Sequence, residues 1–141
     1  MANHFYAYIS RMRCVKRWAL MRNTEEENIQ EHSHMVAVLA HALALIRTRV
    51  FGLPADANAV AVAALYHDAT EILTGDMPTP IKYYNPEIRD AYRKVETVAG
   101  EKLLSMLPDA LRADYSEDEL KTFEKVLHTL NRHIETREEN Q

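Results

Sequence analysis

Apolar residues recur at helical intervals along most of the chain. Phe5, Tyr8, Ile9 and Met12 share one face over residues 4–12, which predicts a short amphipathic helix. Thr24-Glu25-Glu26-Glu27 fits a capping box, with Thr24 as N-cap and a glutamate three residues on. The helix opened there would carry Ile29, His32, Val36, Leu39, Ala40, Leu43 and Ile46 on roughly one face, and Gly52 and Pro54 would stop it. The run from Ala57 to Ala64 is rich in strong helix formers and leads into Leu65-Tyr66-His67-Asp68. Asn85-Pro86-Glu87 reads as N-cap, N1 proline and first-turn acid. That helix would turn Ile88, Ala91, Tyr92, Val95, Val98, Ala99, Leu103 and Met106 to a core. Pro108 restarts the chain, and Ser116-Glu117-Asp118-Glu119 is a second capping box. The last helix would bury Leu120, Phe123, Val126, Leu127, Leu130 and Ile134, ahead of a charged tail. The expected class is all-α, one domain over residues 1–141, with no internal repeat and no dividing linker.

Composition narrows the setting. Hydrophobic residues make up 47% and charged residues 27% of 141 residues, a globular balance with enough chain to bury a core. Three glycines and five prolines are few for a sandwich or a doubly wound sheet. The net charge of −4 gives no general basic footprint for a nucleic-acid polymer. Cys14 is the single cysteine and has no intramolecular partner. The chain opens without a signal peptide, and no apolar run approaches membrane-spanning length, so a cytoplasmic location with no membrane partner is expected.

The chemistry gathers after the alanine-rich run. His67 and Asp68 are adjacent, so on a helix they diverge by about 100° and bracket one ion from one side. Glu71 follows His67 by four residues and would lie on the same face, one turn on. Imidazole plus carboxylate suits manganese, iron, cobalt, nickel or zinc better than calcium. A lone His-Asp pair is common by chance, and a second histidine upstream raises its meaning. His32 sits in the first turns of the earlier helix, at the core's end where a pocket would open; His34 and His41 suit an ordinary structural role. Arg11, Arg13, Lys16, Arg17 and Arg22, with Trp18 among them, read either as a solvated basic face around a buried indole or as an anion pocket. In the second reading a guanidinium holds phosphate and the indole packs on a sugar or base.

Taken together, Arg17-Trp18-Ala19-Leu20-Met21-Arg22-Asn23, Glu31-His32-Ser33, Leu65-Tyr66-His67-Asp68-Ala69 and Thr74-Gly75-Asp76-Met77-Pro78-Thr79-Pro80-Ile81-Lys82-Tyr83 form a recognisable series. It resembles the HD-domain metal-dependent phosphohydrolases, and among them the bacterial 5′-deoxynucleotidases of the YfbR type, from about residue 4 to about residue 112. The resemblance implies an HD helical bundle of five to six helices and hydrolysis of deoxyribonucleoside 5′-monophosphates to deoxyribonucleoside and phosphate. It implies a divalent transition metal (cobalt, manganese, zinc, nickel, iron or copper) held by His32, His67 and Asp68, and a homodimer. Glu71 matches the carboxylate that orients or deprotonates the attacking water. Arg17 and Trp18 match residues that hold the 5′-phosphate and shape the sugar site. Asp76, Met77, Pro78 and Thr79 match the loop contacting the deoxyribose, Asp76 reading its hydroxyl pattern; Asp68 also borders the substrate.

One part of the family pattern is not matched. HD phosphohydrolases close the metal site with an aspartate on a late helix, and no such block follows Arg112. The last helix offers Asp118, Glu119, Glu124, His128 and His133, none in the family's surroundings. Either the chain is truncated or divergent after about residue 112, or its last helix supplies a substitute. The alternative function is a non-catalytic nucleotide- or metal-binding HD module lacking the fourth ligand.

Overall fold

The computed structural model describes residues 4–19, 22–82 and 84–113, with backbone alone at 79, 112 and 113. The fourth-ligand candidates from Asp118 to His133, and the last helix expected to carry them, lie outside the described residues. Among the described residues the structure is helical, with one isolated bridge and no strand. The helices are α1 (Phe5–Ile9), α2 (Ile29–Arg49), α3 (Ala57–Tyr66), α4 (Glu71–Thr74), α5 (Thr79–Lys82), α6 (Pro86–Leu104) and α7 (Asp109–Ala113). The first predicted helix is split: α1 tightens into a 3-10 turn over Ser10–Cys14, which buries Met12.

The longest helix begins later than expected. Thr24 is not its cap. Asn28 is: its Oδ1 accepts the N–H groups of Gln30 and Glu31, each at 3.0 Å, and the Glu31 carboxylate takes the Asn28 N–H at 3.3 Å. The glutamates after Thr24 are engaged elsewhere. Arg17 N–H donates to the Glu27 carbonyl at 2.9 Å and Ile29 N–H to the Val15 carbonyl at 3.0 Å, so residues 15–17 run beside residues 27–29. Lys16–Glu26 and Arg17–Glu27 ion pairs lie along that pairing. The first, exposed on both sides, contributes little; the second is half-buried. Asn28→Ala should lower stability by about 1 kcal/mol, or about 3–5 °C in Tm, because two N–H groups lose their acceptor. A melting curve indistinguishable from wild type would deny Asn28 that role.

α2 ends with Arg47 and Arg49 against the negative end of its dipole. Gly52 at φ +65° then reverses the chain, and Leu53 N–H bonds back to the Arg47 carbonyl at 3.1 Å. Asp56 caps α3 by accepting Ala59 N–H at 2.9 Å. α3 returns along α2, so the C-terminus of one meets the N-terminus of the other. The interface is made by small side chains: Ser33, Ala37 and Ala44 on α2 and Ala64 on α3 are buried. This corrects the expected stripe, since Leu39, Leu43 and Ile46 are 57%, 64% and 45% exposed. α2 is apolar around most of its circumference, and periodicity alone could not choose the face. Close backbone approach did, favouring alanine and serine.

α6 starts as predicted, Asn85 accepting the Glu87 and Ile88 N–H groups ahead of Pro86. Its buried face is Tyr92, Glu96, Ala99, Gly100 and Leu103. Ile88, Ala91, Val95 and Val98 face outward, another correction, because a buried ion pair at Glu96 claims the inner side.

Two small apolar clusters hold the segment between α3 and α4. Phe5, Ala69 and Leu103 form one, and Met12, Ile29 and Ile72 the other, with Tyr8 and Ile9 against both. Ala69 and Ile72 thus pin the short turn that carries His67, Asp68 and Glu71.

Candidate metal centre

α3 stops at Tyr66, and His67 to Thr70 form tight turns before α4 begins at Glu71. Ala69 N–H reaches the Tyr66 carbonyl at 3.0 Å and Glu71 N–H the Asp68 carbonyl at 3.0 Å, both three residues back. His67, Asp68 and Glu71 therefore do not share one continuous helix face. The tighter winding turns them towards each other instead.

His67 is buried, 3% exposed, and its Nδ1 lies 2.7 Å from the Ala64 carbonyl. A carbonyl only accepts, so Nδ1 must donate, and Nε2 points its other valence into the site. Asp68 Oδ2 lies 3.1 Å from His67 Nε2 and 3.7 Å from His32 Nε2. The two imidazoles stand 5.3 Å apart, and one donor atom from each of His32, His67 and Asp68 lies within 4.8 Å of the others. α2 contributes the first ligand and the α3–α4 turn the other two. This nitrogen and oxygen set, with a pinned tautomer, fits a divalent transition ion.

Charge is balanced closely here. Burial, then the Arg17 charge, lowers the His32 pKa. Burial also opposes charge on His67, but the hydrogen bond and charge of Asp68 outweigh it and the pKa rises. For Asp68, burial works against ionisation, yet the hydrogen bond and charge of His67 and the charge of His32 hold its pKa below the usual value. Glu71 differs. Burial, then the charges of Asp68 and Asp76, push its pKa up to about 9, and its Oε2 is buried with no hydrogen-bond partner.

Of the residues expected to contact substrate, the structure brings Arg17, Trp18 and Asp76 together. Arg17 Nη1 donates to Glu27 Oε2, and its guanidinium stands 6.0 Å from the Trp18 ring. Trp18 is half-buried and sits at φ +57°, a region that costs a bulky L-residue about 1–2 kcal/mol. Its N–H donates to Asp76 Oδ2 at 2.6 Å, across 58 positions of sequence, and this bond holds the strained backbone. Met77 is half-buried and Pro78 buried; Thr79 opens α5, and its side chain lies outside the described part.

Four residues escaped sequence reasoning. Glu27, hidden in a run of three glutamates, bridges Arg17 to His32 Nδ1 at 3.9 Å. Lys82 and Glu96 form a 2.9 Å ion pair with side chains 14% and 8% exposed. Tyr92 lies beneath, its ring 5.1 Å from Lys82 Nζ. A lysine and a glutamate 14 residues apart in different helices give no local signal.

A family model described as 5′-deoxynucleotidase YfbR-like matches residues 4–137. The chain belongs to that family. Relatives include a 5′-deoxynucleotidase of Vibrio vulnificus, 54% identical over 113 residues, which are 80% of this chain and 58% of that protein. A 5′-deoxynucleotidase of Photorhabdus laumondii is 51% identical over 113 residues, 80% of this chain and 57% of the relative. The chain thus matches somewhat over half the length of these YfbR-like proteins. Among solved structures, an HD-domain phosphohydrolase from Listeria innocua superposes with a TM-score of 0.71 at 23% identity, covering 89% of this chain and 56% of that one. The cyanophage S-2L HD phosphohydrolase, solved with dA and one catalytic zinc ion, has a TM-score of 0.53 at 22% identity, covering 89% and 82%. Both likenesses establish the HD fold expected from the sequence.

Proposed function

We propose that the chain is a metal-dependent phosphomonoesterase that hydrolyses deoxyribonucleoside 5′-monophosphates to deoxyribonucleoside and phosphate. The observation that carries this reading is the convergence of His32, His67 and Asp68 beside Arg17, Trp18 and Asp76, joined through Glu27. Membership of a family whose named relatives are 5′-deoxynucleotidases supports turnover over a non-catalytic binding module.

In this reading His32, His67 and Asp68 hold a divalent ion. When bound, it lowers the pKa of water and neutralises phosphate charge. Which metal it is rests with the donor chemistry; a zinc ion in the cyanophage relative agrees with that chemistry. Arg17 has five N–H donors, and its pairing with Glu27 leaves others for phosphate oxygens. Glu71 acts as general base on the attacking water. Losing its proton needs added positive charge nearby, and Lys82 and Arg17 already pull in that direction. Trp18 packs on the sugar, Met77, Pro78 and Thr79 wall it, and Asp76 meets its hydroxyl through lone pairs not used on Trp18 N–H. The proposal includes a cytoplasmic setting and a homodimer. Among the described residues no helix is long and apolar enough to cross a membrane.

Phosphate release from a panel of monophosphates tests the reading. Deoxyadenosine 5′-monophosphate should be hydrolysed at least about tenfold faster, by kcat/KM, than its ribo and 3′-phosphate counterparts. A site lacking room or a partner for a 2′-hydroxyl discriminates on that scale or better. Equal rates on deoxy and ribo forms would remove the specificity and leave a general phosphatase. No phosphate release from any of them, with metal supplied, would end the proposal.

A further inference from the structure

The loop that carries Asp76 is tied at both ends to one face of α6. At its start, the Gly75 carbonyl accepts from the Tyr92 hydroxyl and from the Thr74 hydroxyl, each at 3.1 Å, and the two hydroxyls stand 3.3 Å apart. At its end, Lys82 pairs with Glu96 at 2.9 Å, while Lys82 Nζ also stands over the Tyr92 ring. Tyr92 and Glu96 are four residues apart, one turn of the same helix face. None of the three belongs to the metal set or to the residues assigned to substrate.

The contact with Gly75 has a specific consequence. The Gly75 carbonyl lies in the same rigid peptide plane as the nitrogen and Cα of Asp76. Holding that oxygen sets the direction in which Asp76 leaves the backbone. Gly75 is at φ +76°, and a Cβ there would meet nothing within 4 Å, so glycine serves backbone freedom rather than space. A peptide next to such a glycine rotates at little cost unless something holds it; Thr74 adjoins Gly75 and moves with the loop, whereas Tyr92 ties the same carbonyl to α6. Asp76 in turn holds the left-handed Trp18 beside Arg17 through a 2.6 Å bond.

We propose that Tyr92, supported by the Glu96–Lys82 pair, is a positioning residue for sugar recognition: it fixes the Gly75–Asp76 peptide so that Asp76 keeps Trp18 in its left-handed conformation. The inference rests on the deoxynucleotidase reading for its kinetic consequence alone. Burial raises the Tyr92 pKa to about 12, so its hydroxyl stays a donor throughout the working range of pH.

Tyr92→Phe keeps the ring and removes the donor; Tyr84→Phe, at a position 84% exposed, is the control. KM for deoxyadenosine 5′-monophosphate should rise, and the deoxy-to-ribo ratio of kcat/KM fall, by about three- to tenfold, the range one lost hydrogen bond supports. kcat and metal content should stay at wild-type values. Trp18 is the chain's one tryptophan, so its emission and acrylamide quenching report the coupling directly. Tyr92→Phe and Asp76→Ala should both raise quenching, and Tyr84→Phe should not. Unchanged KM, ratio and quenching in Tyr92→Phe would overturn the proposal, as would a fall in kcat with KM unmoved. If the wild-type protein releases no phosphate, the functional reading fails and quenching alone decides. Exposure of Trp18 in both variants then upholds the coupling, and exposure in Asp76→Ala alone refutes it.

Discussion

His67→Ala protein is expected to lose divalent-ion binding by more than about a hundredfold, and phosphate release with it. Removing a mere supporting contact to a metal ligand typically costs 10–100-fold in affinity, and a ligand itself should cost more. His67 is the most buried of the three donors, and the Ala64 carbonyl fixes the tautomer that turns Nε2 inward. Its truncation also removes packing, so a second variant separates the causes. Asp68→Asn hardly changes volume at a side chain 12% exposed, but removes the charge facing both Nε2 atoms. Metal content by elemental analysis and the Tm shift on adding ion should fall in both variants. His34→Ala, an exposed histidine on the same helix as His32, should change neither. Retention of metal by both His67→Ala and Asp68→Asn would show that the ion, if any, sits elsewhere.

Glu71→Gln should lower turnover by at least about a hundredfold while metal content holds, the range general-base assistance supports. The structure adds a second, independent effect. A carboxyl with a folded pKa of about 9 against an ordinary 4.5 binds its proton more tightly folded than unfolded. Its contribution is therefore favourable below pH 4.5 and is lost progressively as pH rises towards 9. Glutamine does not titrate. In metal-free protein Glu71→Gln should melt higher than wild type at pH 8, by on the order of 10 °C, with the gap closing as pH falls to 4.5. Thermal melts of the chelated proteins across that window check it. A gap that is absent or constant with pH would mean that Glu71 is ionised in the fold. A variant that loses its metal would instead make Glu71 a ligand, filling the place that the unmatched late aspartate leaves.

Much of the helical layout was legible because caps and stops are local chemistry. Asn85-Pro86-Glu87 opens α6 as written, and Gly52 turns the chain after α2. Other signals were legible and misleading. Thr24 with its glutamates has the form of a capping box, but Glu26 and Glu27 are drawn to Lys16 and Arg17 across the hairpin-like pairing. The competing partners are ten residues away, beyond the reach of a local motif. The faces of α2 and α6 were misassigned for a related reason. Large apolar residues outnumbered the places that neighbouring helices left for them, and Ser33, Ala37 and Glu96 took those places instead.

By itself the sequence determined the all-α class, the family and the ligand candidates, since His32, His67 and Asp68 carry their chemistry in their side chains wherever the chain puts them. Tertiary structure alone decided that α3 would break at Tyr66, so that Asp68 and Glu71 turn into the site on tight turns rather than along a helix face. It also set Trp18 in a left-handed backbone held by Asp76, buried Lys82 against Glu96, and put Tyr92 beneath the Gly75 peptide. These contacts join residues 14–58 positions apart, and their free energy comes from burial and charge that exist only after the helices have packed.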